Sequence, residues 1–337
     1  MEVKMRLSKV AQAIATIDTN HSVLLYGQPG VGKTRLAGTA AQIDEFDNIY
    51  WVDLENGSQT LLNMGLTEAQ MDKVVLIKIA DTRDEPIGIE TMLKLLTSKT
   101  PIKVCEAHGK VDCAVCSKAQ QPSITFLLSS LTHRDLVVID SGSQLGDSAL
   151  AAACLGKPGM FKPTFDEYGM VNKWLGDCMS VIQQCKNTNF LVVTHEIALE
   201  DDEGKDKFFP LMGSKAFSMK CAKYFGTRVY VHKKLNKHTA GSSSTYRGDV
   251  LAASRVNAVI EKEDTLDLRA IFIKGGILRP RTTGPAPTIS PAPAPANTDK
   301  LPIVQIADAL VNKAVTDLAQ PAKTMSFAER MALKKKQ

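Results

Sequence analysis

Short blocks of consecutive apolar residues, each closed by a glycine-rich or acidic turn, recur along most of the chain. Ser22–Tyr26, Asn48–Glu55 (NIYWVDLE), Val74–Ile79, Leu136–Asp140 (LVVID) and Phe190–Thr194 (FLVVT) are of this kind. Such runs predict strands buried on both faces. Lys33–Ile43, Ile87–Leu96 and Phe165–Gln184 carry apolar residues at helical spacing instead. Strands alternating with helices predict an α/β fold, with a mostly parallel central sheet covered by helices. A further apolar run, Ile124–Leu131, precedes LVVID. From Val229 to Ile273 the pattern changes to alternating positions around a Ser/Gly turn at Gly241–Ser244, which predicts paired strands.

The core pattern stops at about residue 282. Residues 283–298 contain the stretch TGPAPTISPAPAPAN, whose Pro/Ala content predicts an extended, semi-rigid linker without a core. Residues 299–337 form a separate tail. Ile303, Ile306, Leu310, Val311, Val315 and Leu318 share one helical stripe, Pro321 ends it, and the basic sequence ERMALKKKQ follows. The stripe offers a docking face for a protein partner or a neighbouring subunit.

Composition narrows the setting. Hydrophobic residues make up 44% of 337, which is enough for a substantial core. No apolar run approaches the ~20 residues that span a bilayer, so no membrane role is expected. The first residues, MEVKMRLSKVAQAIATID, lack a signal-peptide core, and the expectation is a cytoplasmic protein (bacterial host cytoplasm if phage-encoded). The net charge is +5, and between Leu211 and Arg255 nine Lys or Arg stand against Asp249 alone. This suits either a polyanionic partner or a solvated face.

Gly27-Gln28-Pro29-Gly30-Val31-Gly32-Lys33-Thr34 fits G-x-x-x-x-G-K-[ST] without a mismatch, between a predicted strand and a predicted helix. Glycines let backbone N–H groups turn inward on phosphates, Lys33 neutralises the β/γ charge, and Thr34 offers a hydroxyl to Mg²⁺. The expected ligand is ATP, and the expected activity is its hydrolysis. Asp140, ending LVVID, stands where an acid holds the Mg²⁺ shell.

Residues 100–122 break into the α/β pattern with Cys105-x-x-His108-x-x-x-x-Cys113-x-x-Cys116. Four soft or borderline ligands within so short a span suit tetrahedral Zn²⁺, and four protein ligands leave no open position. The site is expected to be structural. The other cysteines, Cys154, Cys178, Cys185 and Cys221, are scattered and read as reduced core thiols.

The residue after Asp140 is Ser141, not the glutamate that usually follows this aspartate in AAA+ ATPases and polarises the attacking water. Val52-Asp53-Leu54-Glu55 offers an acid at the end of the second strand, and this resembles the RecA family of recombinases and its relatives. The resemblance extends through Val138-Ile139-Asp140-Ser141 and the strand ending Thr194-His195, over about residues 20 to 260. It looks most like the phage RecA-like ATPases associated with single-strand annealing. It departs from RecA itself in the metal cluster, the Pro-rich tail and the lack of a RecA-style N-terminal arm. The resemblance implies a RecA-like P-loop core with Glu55 as catalytic base and His195 as γ-phosphate sensor. It also implies a homo-oligomer (ring or filament) acting on single-stranded DNA.

In RecA-like proteins the loops after the Asp140-type and His195-type strands bind the single strand. The corresponding segments are Gly146–Pro163, with Lys157, Phe161 and Lys162, and Glu200–Lys215, with Lys205, Lys207, Phe208 and Phe209. Lysines neutralise phosphates and aromatics stack on bases. Phe208 and Phe209 suit the core equally well, and the acids Glu200 to Glu203 oppose the reading. Arg255, in LAASR, matches the strand by which relatives place a basic finger in a neighbour's ATP site. The leading function is ATP-dependent single-stranded DNA binding in phage-type recombination or annealing. A ring-forming helicase or loader motor uses the same core. A different class, an ATP-switched adaptor recruiting partners through the metal knuckle and tail, needs no nucleic acid.

Overall fold

The computed structural model describes residues 22–278, apart from 160, 201, 235–236, 242–243, 246–247, 251–252, 255–263 and 266; for 234–249 and 253–265 only the backbone is described. All of it lies within one unit, Met1–Arg281. Arg255, the linker and the tail lie outside the described residues.

The described chain opens with β1 (Ser22–Gly27), buried throughout, and α1 (Lys33–Gly38). The predicted helix to Ile43 is shorter than expected, because Thr39–Gln42 tightens into a 3₁₀ turn. Next come β2 (Asn48–Asp53), two single-turn helices α2 (Gln59–Leu62) and α3 (Glu68–Met71), β3 (Val74–Lys78) and α4 (Gly88–Thr97). The metal-motif segment folds as β4 (Ile102–Cys105), α5 (Ala114–Lys118) and β5 (Ser123–Phe126). The sheet resumes with β6 (Asp135–Asp140), followed by α6 (Gly142–Ala153), α7 (Phe165–Gln184), β7 (Asn189–Glu200) and β8 (Asp206–Pro210). Then follow α8 (Lys215–Cys221), β9 (Thr227–Lys234) and β10 (Lys237–Gly241), with short strands β11 (Ser244–Thr245), β12 (Gly248–Val250), β13 (Ala253–Ser254) and β14 (Asp264–Thr265). Helix α9 (Leu268–Lys274) closes the described chain.

The order β3-β2-β6-β7-β1-β9 is parallel throughout, and β10 and β14 extend it antiparallel. Side chains from both faces of this sheet enter two apolar clusters. Met92, Leu145, Leu175 and Met179 cover one face, while Leu36, Ala37, Phe46, Ile271 and Phe272 cover the other. This two-sided burial explains the unbroken apolar runs. The fold is a P-loop α/β architecture with a mostly parallel central sheet, and the Cys/His segment lies between α4 and β6.

Two elements differ from expectation. Strand β7 does not stop at Thr194 but runs on to Glu200. Through His195 it pairs with β1, and from Glu196 it pairs antiparallel with β8. The segment Gly146–Pro163, expected as a loop, is helical as far as Ala153; only residues 154–164 connect α6 to α7. No helix among the described residues is long and apolar enough to cross a membrane.

Candidate functional site

Gly27 sits at φ 155°, and a Cβ there would collide with the carbonyl oxygen of Val231 on β9. The chain therefore turns away from β1 at a position that accepts only glycine. Gly30 and Gly32 also have positive φ, at 76° and 90°, and the loop delivers Lys33 and Thr34 to the start of α1. Lys33 is 5% exposed. Its Nζ donates to the carbonyls of Gly27 (3.0 Å) and Gln28 (2.7 Å) and lies 3.4 Å from Nδ1 of His195. Burial lowers its pKa to about 8, opposed by the charges of Glu55, Asp140 and Glu196.

Parallel register sets Asp53 and Asp140, the last residues of β2 and β6, beside Val193 of β7. Thr34 Oγ1 donates to Asp140 Oδ1 at 3.4 Å, while Asp140 Oδ2 is buried without a partner. Burial first, then the neighbouring Glu55 charge, raises Asp140 to about 7. Gly57 adjoins the orphaned oxygen, and a Cβ there would come within 2.6 Å of it. A hydroxyl, a carboxylate oxygen in need of a partner and a gap beside it make a hard-oxygen donor set that fits Mg²⁺.

Glu55 lies two residues beyond β2, on a loop organised by Asp53. The Asp53 carboxylate is fully buried and accepts from the backbone N–H groups of Glu55 (3.2 Å), Gly57 (2.9 Å) and Ser58 (3.1 Å). Ser141 Oγ donates to Glu55 Oε1 in a short hydrogen bond, and His195 Nε2 lies 3.3 Å from the same oxygen. Burial acts to raise the Glu55 pKa, but hydrogen bonds from His195 and Ser141, with the Lys33 charge, outweigh it and hold Glu55 below the usual value. The His195 ring satisfies both neighbours when neutral with its proton on Nε2, donating to Glu55 and accepting from Lys33.

Behind the ring, Ser143 Oγ accepts from the His195 backbone N–H (2.8 Å) and contacts Thr194 Oγ1 (2.9 Å). Sequence reasoning missed Asp53, Ser141 and Ser143 as site builders. The only local signals were an acid at a strand end before a Gly/Ser turn (VDLENGS) and the serines after LVVID. One cleft is lined by Gly32, Lys33, Thr34, Glu55, Asp140, Ser141 and His195 together.

The four metal-motif residues also converge. His108 Nδ1 lies 3.7 Å from Cys105 Sγ, 3.8 Å from Cys113 Sγ and 3.2 Å from Cys116 Sγ, and all four ligand atoms fall within 4.8 Å of one another. Ligands placed tetrahedrally around one zinc at ~2.0–2.3 Å stand roughly 3.5–3.8 Å apart, and small side-chain adjustments from the observed separations would bring all four onto one ion.

The segments expected to meet DNA divide. Lys157, Phe161 and Lys162 do lie on the connection between α6 and α7, where Lys157 Nζ sits 5.0 Å above the Phe161 ring and 3.8 Å from Glu167. Lys205 and Lys207 lie on the β7–β8 hairpin, Lys205 paired with Glu203 at 2.8 Å. Phe208 belongs to the core: it is 2% exposed against Tyr26, Tyr230 and Val250, which removes it from base stacking. Phe209, opposite Ile197, alternates to the other, half-buried face.

The family described as "AAA domain" (AAA_24) matches residues 19–225. No curated protein matches the sequence. Among solved structures, an ATPase of a type III secretion system of pathogenic bacteria is 17% identical over 71% of this chain, with TM-score 0.38; the chain spans 57% of its length. The RadB recombinase is 13% identical over 70% of this chain and 86% of its own, with TM-score 0.34. The EscN ATPase of enteropathogenic E. coli, solved with its stalk EscO, is 13% identical over 94% of this chain and 60% of its own, with TM-score 0.40. These likenesses are too loose to carry a functional argument.

Proposed function

The chain belongs to the AAA domain family AAA_24, and from that premise we propose that it is an ATP-dependent single-stranded DNA-binding protein of phage-type recombination or annealing. The observation that carries this reading is the position of Glu55. The acid reaches the P-loop cleft from the loop after β2, joined to His195 and Ser141, while the position beside Asp140 holds a serine.

In this reading the loop Gly27–Thr34 takes the phosphates of ATP, and Thr34 and Asp140 hold Mg²⁺. The ion supplies charge neutralisation across the β- and γ-phosphates. Glu55 orients the attacking water and accepts its proton, a role supported by a carboxylate kept ionised among donors. Lys33 gives up the Gly27 and Gln28 carbonyls for phosphate oxygens, so His195, which touches both Lys33 and Glu55, reports the γ-phosphate. Strand β7 then links the sensor to the hairpin bearing Lys205 and Lys207. With Lys157, Phe161, Lys162 and Phe209, these residues form the proposed single-strand surface. The Cys105, His108, Cys113 and Cys116 cluster holds a structural zinc. The protein acts as a homo-oligomer, with Arg255 reaching a neighbour's ATP site.

ATP turnover with and without nucleic acid tests the reading. Single-stranded DNA should stimulate turnover more than duplex DNA, and the binding should weaken steeply with salt as counterions are released. Failure of single strands to bind or stimulate would instead favour the adaptor.

A further inference from the structure

The metal cluster and the connection between α6 and α7 are far apart in the chain, yet one segment touches both. Residues 79–87 form a strap from β3 to α4. At its root, Ala80 N donates to the His108 carbonyl (3.0 Å), and Lys110 pairs with Glu85 (2.7 Å). Gly109 has φ 68°; a Cβ there would collide with the Lys78 carbonyl oxygen and come 2.7 Å from Ile79 Cα. Its own carbonyl accepts from the buried Thr91 hydroxyl at 3.0 Å. The knuckle is thus seated on the strap with no slack. At the far end, Ile89 N donates to the buried Ser148 hydroxyl of α6 at 2.9 Å. Between these anchors, Thr82 N donates to the Glu85 carbonyl and closes a turn that projects Arg83 outward. Arg83 Nη2 donates to the Gly159 carbonyl at 2.7 Å, within the 154–164 connection that bears Lys157, Phe161 and Lys162.

We infer that Arg83 is a positioning residue for the 154–164 connection, and that the metal knuckle holds the strap from which Arg83 reaches it. Exposed ion pairs such as Lys110–Glu85 contribute little. The coupling therefore runs through the His108–Ala80 backbone bond and the tight seat of Gly109. The Arg83 contact is a charged donor on a backbone carbonyl and needs its strap preorganised to persist in water. The inference deepens the proposed function and rests on its reading of the 154–164 connection as part of the single-strand surface.

Hydrogen exchange on the full-length protein tests it with three samples: zinc-loaded wild type, wild type after chelation, and zinc-loaded Arg83→Ala. The amides of Lys157 and Phe161, bonded within the connection to Cys154 and Pro158, are the reporters. Chelation and Arg83→Ala should each speed their exchange about fivefold. P-loop amides and ATP affinity should not change, and Arg83→Lys should restore part of the protection. Single-stranded DNA affinity should fall with the lost protection. Unchanged exchange at Lys157 and Phe161 in Arg83→Ala overturns the inference, even if chelation unfolds the knuckle. Faster exchange without single-strand binding in any sample upholds the brace and removes the DNA reading instead.

Discussion

At the scale of single residues, the site is a set of carboxylates given different work by their surroundings. Asp53 spends its lone pairs on three backbone N–H groups and so fixes the loop that carries Glu55. Glu55 accepts from Ser141 and His195 and stays ionised, whereas Asp140 is buried with one oxygen unpartnered. Glu55→Gln keeps the shape and removes the proposed base. Turnover should fall ~10²–10⁴-fold while titration shows ATP binding retained. A mutant within a few-fold of wild type would show that the base lies elsewhere. Asp140 supplies a pH signature. Its folded pKa, raised from 3.8 to about 7, lies above the unfolded value, so the folded state holds the extra proton between those values. Its contribution to stability is present below pH ~4 and is lost as pH rises through about 7. Without Mg²⁺ and nucleotide, Asp140→Asn should therefore gain about 2–4 kcal/mol over wild type at pH 8 and little at pH 4, read from denaturant melts. Equal gains at both values would rule out the buried carboxyl as the cause. The P-loop and Asp140 were legible from local pattern and Glu55 and His195 through the RecA resemblance, and the fold brings all of them to one cleft. Asp53 and Ser143 were not, because their partners are backbone N–H groups that only the fold brings to them.

At the scale of elements, strand pattern was read better than helix pattern. The buried strands announced themselves as apolar runs. The RecA resemblance predicts a single-strand-binding loop from Gly146 onward, where helix α6 (GSQLGDSALAAA) instead continues to Ala153. The fold explains Gly146: a Cβ there would collide with the Gly213 backbone, so packing overrides propensity. The continuation of β7 past Thr194 was hidden for another reason. Its second half is half exposed and acquires strand geometry only by pairing with β8. The convergence of the four Cys/His residues was legible from their spacing, and their chemistry predicts a composition. Purified protein should contain about one zinc per chain, and Cys113→Ser should lose the ion and melt at lower temperature, because metal affinity here is folding free energy. Metal analysis without zinc, or an unchanged melting temperature, would refute the structural role.

At the scale of the whole molecule, the P-loop cleft is built from residues between Gly27 and His195, all in the unit Met1–Arg281. A Pro/Ala spacer cannot hold a catalytic group rigidly against that cleft. Deleting residues 284–337 should therefore leave ATP turnover within about twofold of wild type; a folded truncation without turnover would place the tail in the catalytic unit. The knuckle invites a different kind of operation. Strands β4 and β5 pair antiparallel from Ile102 opposite Phe126 to Cys105 opposite Ser123, so the segment leaves and re-enters the α/β body at one point. A module with adjoining ends can be excised, exchanged or transplanted without re-routing the chain on either side. A two-residue turn joining Val104 to Ile124 would remove Cys105, His108, Cys113 and Cys116 together and leave the order of the central sheet unchanged.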